Sequence, residues 1–258
     1  IYALVVSLIL IFANPFWNQA LAQARSALRA YADFAGDAPD DIYADAALTT
    51  LPDGNRVLVI DTCYAGAIDA GEQAFAPIRK FGTPIVDAIA PTPYVKLQQT
   101  ADQVLARGRR YYVKGSFLRE INTALSDSLV EGFAGLPPGV TVNFADAGGA
   151  ISRVAPTATA FWNRGARWNL VCSAVWDNPA DSEAGIAAGR RAYDIAEPYA
   201  KGFYLNDANL AERTQAQVDS NYGGNLARLE KVKAQYDPAN LFHLNANVMP
   251  AGLIRAGT

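Results

Sequence analysis

The stretch DIYADAALTTLPDGNRVLVIDTCYAG, residues 41–66, decides the fold class. It contains two strand-like runs of mainly apolar residues, separated by Leu-Pro-Asp-Gly at 51–54. Pro-Asp-Gly supplies the backbone geometry of a tight turn, and such a turn joins neighbouring antiparallel strands. The stretch therefore predicts a β-hairpin.

The residues before the hairpin predict one strand and one helix. Residues 1–12, IYALVVSLILIF, form an apolar run that is too short to cross a bilayer as a helix and is typical of a buried strand. Residues 16–35 repeat apolar side chains at helical spacing and stop at Gly36. Because the chain opens in a strand and has no initiator methionine, we expect an upstream region outside this sequence.

The rest of the chain alternates between the two element types. Helices are predicted over 71–82, 93–106, 121–135 and 179–197, with a closing helix that includes 226–232. Strands are predicted over 84–91, 109–118, 140–146, 168–176 and 201–207, and the glycine pair at 148–149 leads into an extended piece. The tight turn and the glycine break favour an α+β fold, with a broad, mainly antiparallel sheet and helices packed on one face.

Composition limits the classes of partner. Of the 258 residues, 51% are hydrophobic, so the chain can bury a proper core and is not disordered. Its 22 lysines and arginines are scattered, and the net charge is -3, which gives no basic footprint for nucleic acid. We therefore expect neither nucleic acid nor a membrane as partner.

The cysteines and the histidine argue against a metal site. Cys63 and Cys172 lie in apolar strand-like runs with no second cysteine or histidine nearby, which is typical of buried free thiols. His243 is the single histidine, so a multi-histidine site is impossible.

Two predicted strands separate an apolar face from a polar one. In 140–146, Asn143 alternates with the valines, and in 168–176, Asn169 lies opposite the tryptophans. Small hydrogen-bonding groups on one face of a sheet could bind a substrate. The alternative is that they simply face solvent, as is common in antiparallel sheets.

The strand over 109–118 carries a second polar and aromatic pair. Tyr112 and Lys114 share one face of that strand and are candidates for a substrate pocket. As an alternative, tyrosines at strand edges are ordinary packing residues.

Four stretches in the second half of the chain carry a resemblance to a known family: GGAISRV at 148–154, FWNR at 161–164, FYLND at 203–207 and NYGGNLARLEKVKAQYDPANLF at 221–242. In this order they resemble FAD-linked oxidoreductases of the berberine bridge enzyme type, within the vanillyl-alcohol oxidase superfamily. The resemblance implies FAD as cofactor. It also implies a substrate-binding domain at 1–200 and a C-terminal segment at 201–258 that returns to an FAD-binding domain outside this chain.

The resemblance also assigns candidate roles. Tyr204 and Asn206 match positions that lie beside the flavin in the family, although a well-packed strand end would explain them too. Asp207 stands where plant relatives carry a catalytic tyrosine, and it could accept the substrate proton or cap the segment that follows. Ala145 and Asn163 replace a phenol and a histidine of other members, so the plant mechanism does not transfer directly.

The leading hypothesis is part of a flavin-dependent oxidoreductase that oxidises a C–H bond next to oxygen or nitrogen by hydride transfer to FAD. By itself, the chain is expected to be inactive. The alternative is a non-catalytic remnant or binding module that retains only the sheet of the substrate domain. A free-standing α+β enzyme ranks last, because the sequence shows no nucleophile-base pair and no phosphate-binding loop.

Overall fold

The computed structural model describes residues 2–11, 17–81, 84–102, 105–244 and 246–253. The strands in these ranges are β1 (Tyr2–Ile11), β2 (Ile42–Thr50), β3 (Arg56–Tyr64), β4 (Val86–Asp87), β5 (Ala90–Pro93), β6 (Arg110–Leu118), β7 (Val140–Asp146) and β8 (Trp168–Trp176). The α-helices are α1 (Trp17–Asp37), α2 (Ile68–Phe75), α3 (Tyr94–Gln98), α4 (Thr123–Ala134), α5 (Ala150–Arg153), α6 (Ser182–Ala196), α7 (Gln215–Tyr222) and α8 (Leu226–Tyr236).

All the described strands join one antiparallel sheet. Their order is β4-β1-β3-β2-β7-β8-β6, and β5 also pairs with β1. The β2–β3 hairpin pairs Thr50 with Arg56 across the Pro-Asp-Gly turn, as the sequence predicts. The predicted α+β class with a mainly antiparallel sheet is therefore confirmed.

The sheet consists of two similar halves. In the first half, α1 connects β1 to β2, and β3 then inserts between those two strands. In the second half, α4 connects β6 to β7, and β8 inserts between them in the same way. Each half is thus a split β-α-β unit, and the halves join where β2 pairs antiparallel with β7.

Three helices cover one face of the sheet. The buried core joins residues of α1, α4 and α6 to the alternate positions of β2, β7 and β8 that include Ala46, Phe144 and Leu170. Tyr31 of α1 is fully buried, and its hydroxyl donates to the carbonyl oxygens of Ala44 and Phe144 at 3.2 and 2.9 Å. This hydrogen bonding fixes α1 over the junction between the two halves.

Four sequence predictions need correction. The helix at 71–82 ends at Phe75, because Pro77 cannot continue it, and a 3₁₀ turn follows at 78–80. The strand at 84–91 is two short pieces, β4 and β5. The helix at 93–106 is confined to α3, because the described residues after Gln98 form turns, and residues 103–104 lie outside the described residues. The extended piece after 148–149 is the short helix α5.

A fifth correction concerns 201–207, which is not a strand. Its backbone meets the edge of β6 at Phe117, which pairs with Lys201 and Gly202, and at Gly115, which donates to Asp207. Between these points the chain bends, because the Asp207 amide donates to the Tyr204 carbonyl. The segment therefore covers the edge of the sheet without extending it.

Both cysteines are free thiols, as predicted, with Cys172 buried and Cys63 half-buried. Burial raises the pKa of the Cys172 thiol to about 12. Among the described helices, none combines the length and the apolar character that a membrane span needs.

Candidate functional site

The face of the sheet opposite the helices carries a row of polar residues. Strand register places Asp61, Asp45, Ala145, Asn169 and Phe117 directly beside one another across β3, β2, β7, β8 and β6. Neighbouring strands lie about 4.8 Å apart, so Asp45 and Asn169 stand roughly 10 Å apart with only a methyl group between them. We call this set the polar row.

At one end of the polar row, Asp207 reaches over the edge strand. Its carboxylate accepts a hydrogen bond from the Asn169 side chain at 2.8 Å. The approach depends on Gly115, because a Cβ there would lie 3.1 Å from the Cβ of Asp207 and 3.1 Å from the Leu170 carbonyl oxygen. Two of the predicted site residues, Asp207 and Asn169, are thus brought together by the edge segment.

The other end of the row holds two carboxylates in direct cross-strand register, Asp45 and Asp61. Burial raises the pKa of Asp45 to about 7, with a further upward contribution from the Asp61 charge. The side chain of Asn143, which the sequence singles out, hydrogen-bonds Asp45, and the Tyr43 hydroxyl lies 3.5 Å from it. The Asn143 side chain therefore interacts with this pair of carboxylates through Asp45.

Tyr204 and Asn206 line an open cleft beside the polar row. The Asn206 side chain donates to the Tyr204 hydroxyl at 2.7 Å, and both residues are exposed. The cleft holds about 230 Å³ and is also lined by Phe161 and Tyr222. Phe161 packs edge-on against Phe117, with ring centroids 5.7 Å apart, so the wall of the cleft adjoins the polar row.

An amide network and a half-buried tryptophan ring hold this cleft together. Asn163 donates to the Asn221 side chain at 2.9 Å, and the same Asn221 oxygen accepts from the Phe203 amide at 2.9 Å. Trp162 packs on Gly223, where a Cβ would come within 2.3 Å of the indole ring. The FWNR loop therefore contacts the C-terminal segment at the wall of the cleft.

Tyr112 and Lys114 lie on the opposite side of the sheet from Asn143 and Asn169. Both contact Glu212, which accepts from the Tyr112 hydroxyl at 2.8 Å and from the Lys114 ammonium at 2.9 Å. The four residues that the sequence groups as substrate-binding therefore do not form one site. Tyr112 and Lys114 instead lie between helix α6 and Glu212, and through Glu212 they connect the C-terminal segment to the sheet.

Sequence reasoning missed Asp45 and Asp61. The signal was present, since the turn at 51–54 fixes the hairpin register and places these two aspartates opposite each other. It also assigned no role to Trp162 and Asn221, although both lie in stretches that carry the resemblance, because their contacts at the cleft depend on the fold.

Comparisons with known proteins agree with the motifs. The family model described as "Berberine and berberine like" matches residues 204–249. An FAD-linked oxidoreductase of Dictyostelium discoideum is 25% identical over 217 residues, which cover 83% of this chain and 46% of that protein. The chain thus spans about half the length of this curated relative.

Solved structures share the fold. The structure of 6-hydroxy-D-nicotine oxidase from Arthrobacter nicotinovorans has a TM-score of 0.75 at 19% identity, covering 96% of this chain and 55% of that one. A variant of berberine bridge enzyme in complex with (S)-reticuline has a TM-score of 0.78 at 14% identity, covering 96% and 55%. The comparisons confirm the resemblance: in sequence and in fold, the chain is similar to FAD-linked oxidoreductases of the berberine bridge enzyme type.

Proposed function

We propose that this chain supplies the substrate-binding part of an FAD-dependent oxidoreductase, which oxidises a C–H bond next to oxygen or nitrogen in a small molecule. One observation carries the proposal: the aromatic cleft of Tyr204 and Asn206 adjoins the polar row, because Phe161 of the cleft packs against Phe117 of the row. When bound, FAD accepts a hydride and so supplies the redox chemistry. The residues of the chain bind and orient the substrate and hold its proton.

The cleft fits part of a flavin and not the whole cofactor. Its volume of about 230 Å³ is below the roughly 300–1,000 Å³ of pockets that enclose a small molecule. Its aromatic rings and the amide of Asn206 suit the edge of a planar, hydrogen-bonding ring system. The other contacts to FAD are therefore assigned to a separate flavin-binding domain, with residues 1–200 as the substrate domain.

The C-terminal segment, 201–258 in this proposal, offers a surface for that domain. Leu241, Phe242 and Leu244 are exposed by 71%, 78% and 91%. Their loop is nevertheless fixed, since the Asp237 carboxylate accepts from two backbone amides and Lys233 donates to the Phe242 carbonyl. Apolar side chains held rigidly in solvent are typical of a contact surface, and this supports docking onto a flavin-binding domain.

Titration of the chain with FAD tests the domain assignment. We expect weak binding without stoichiometric uptake, because the cleft encloses only part of the cofactor. Flavin absorbance and fluorescence measure the uptake. Tight one-to-one binding by the chain alone would refute the assignment of the remaining contacts to another domain.

Mixing with a flavin-binding partner tests the function. The partner is the portion of the Dictyostelium relative that this chain does not match, loaded with FAD, and alcohols, sugars and amines are screened for flavin bleaching without oxygen. We expect bleaching that falls at least tenfold in Tyr204→Ala, with Tyr94→Ala as the control because Tyr94 is exposed on α3. A complex that forms and bleaches with no substrate would favour the binding module instead.

A further inference from the structure

Beyond the positions that the sequence resemblance assigns, the polar row contains a second acid–base candidate. Asp45 and Asp61 face each other on β2 and β3, two strands away from Asn169 and Asp207. Both aspartates are half-buried, so their carboxylates are partly removed from water. The Asp61 charge disfavours ionisation of Asp45, because two negative charges at short range repel each other.

Ala145 makes space between the two polar ends of the row. It lies beside Asp45 on one side and beside Asn169 on the other. Asp45 interacts with Asn143, Tyr43 and Asp61, and the Tyr43 hydroxyl contacts its Oδ2. Its Oδ1 and the Oδ1 of Asn169 are both buried, and neither accepts a hydrogen bond of ordinary geometry from the described residues. Buried acceptors of this kind ordinarily find a donor, so two unused acceptors flank the gap above the alanine methyl group.

The lack of positive charge on this face limits the chemical groups that a ligand can present to it. On β2, β3, β6, β7 and β8, the positions that share this face contain no lysine or arginine. A phosphate or carboxylate placed over Ala145 would meet aspartates and acceptor oxygens with no cation to balance it. A hydroxyl or amino group, in contrast, can donate to them.

From this arrangement we infer that Asp45, paired with Asp61, is the base that removes the substrate proton, and that the substrate presents an alcohol or amine group over Ala145. In the step, the O–H or N–H bond breaks and its proton passes to the Asp45 carboxylate. The adjacent C–H bond breaks with its electron pair, which leaves as hydride to the oxidised flavin, and a C=O or C=N bond forms. This inference rests on the proposed function, and it gives Asp207 the role of fixing Asn169.

The groups around Asp45 set its titration. Asp61 faces it from β3, and Tyr43 comes from its own strand. Other charged or titratable groups nearby are Asp146 at the end of β7 with its ion-pair partner Arg167, Tyr31 from α1 and Cys63 from β3. Since Asp45 loses its proton near pH 7, its basic form dominates above that pH. A reaction that uses this base therefore accelerates as the pH rises through about 7.

The first test follows the carboxyl group itself in the isolated chain. Carbon-13 NMR of labelled aspartates is expected to show one carboxyl that titrates near pH 7, absent in Asp45→Asn and shifted to lower pH in Asp61→Asn. Asp69→Asn, at an exposed position on α2, is the matched control and leaves that signal in place. If the signal lost in Asp45→Asn titrates near 4, as an ordinary aspartate does, the inference is overturned.

The second test uses the flavin-loaded complex. Asp45→Asn is expected to slow flavin reduction by about 10²–10⁴-fold and to remove the rise in rate near pH 7, whereas Asp69→Asn changes neither. The pH profile is measured separately with alcohols and with amines, because an amine substrate has a pKa of its own. A pKa that appears in both profiles therefore belongs to the protein. If the unmodified complex reduces no flavin, the proposed function fails. If it does and Asp45→Asn keeps the rate and the pH profile, only this inference fails.

Discussion

Replacing Glu212 by alanine is expected to lower the free energy of unfolding by about 2–4 kcal/mol. Glu212 accepts hydrogen bonds from Tyr112, Lys114 and Arg190, all at 2.8–2.9 Å. The Lys114 side chain is only 13% exposed, so removing the carboxylate leaves a largely buried ammonium without its counter-charge. An uncompensated charge costs more than the ion pair contributes when it is intact.

Urea unfolding measures this loss, and a matched glutamate provides the control. Glu183→Ala, at an exposed position in the first turn of α6, is expected to change the stability by less than about 1 kcal/mol. The double variant Lys114→Met with Glu212→Gln should recover most of the loss, because the largely buried ammonium is then gone and Arg190, which also loses its partner, is exposed to water. Equal effects of Glu212→Ala and Glu183→Ala would contradict a structural role for the network.

Glu212 also makes the free energy of unfolding depend on pH. Partial burial opposes ionisation of Glu212, but hydrogen bonds from Lys114, Tyr112 and Arg190 outweigh it and lower its pKa from 4.5 to about 2. A lowered pKa means that the fold favours the carboxylate, so this contribution is fully present above about pH 4.5 and is lost as the pH falls toward 2. Glu212→Ala should therefore flatten the acid limb of the stability curve.

The second large effect is expected from Gly223→Ala, with a loss of about 2–4 kcal/mol. Gly223 has φ 49° and ψ -131°, a conformation that side chains with a Cβ rarely adopt. A methyl group there would also come within 2.3 Å of the Trp162 ring. Either the backbone or the indole must move, and both form the wall of the cleft.

Unfolding curves and the tryptophan emission spectrum report this change together. Gly165→Ala is the matched control in the same loop region, since nothing lies within 4 Å of its added methyl group and its φ is not positive. We expect that variant to stay within about 0.5 kcal/mol of the unmodified protein. If Gly223→Ala behaved like Gly165→Ala, the close contact with Trp162 would be wrong.

Local patterns predicted the fold well where short-range chemistry decides it. The turn at 51–54, the helical spacing in α1 and the alternation in β7 and β8 each act within a few residues, and each prediction is confirmed. The prediction failed at 201–207, because an apolar and aromatic run resembles a strand whether or not a partner strand extends alongside it. Its position is set by the edge of β6, which is distant in the sequence.

The candidate site was predictable only in part, for the same reason. The polar faces of β7 and β8 follow from alternation, so Asn143 and Asn169 were identified correctly as lying on one face. The sequence could not tell on which side of the sheet Tyr112 and Lys114 lie, because that depends on the register of β6 with β8. Nor could it bring Asp207 to Asn169, which requires a glycine on the intervening strand.

The junction of the two β-α-β halves has a consequence for folding. Each half is continuous in the chain and its strands pair across at most 66 residues, whereas β2 and β7 pair across about 100, so we expect that pairing to form last. Asp45 and Ala145 lie on the two sides of that junction. No folding intermediate with only one half formed can therefore have an assembled site, and ligand binding over Ala145 would report the last step of folding.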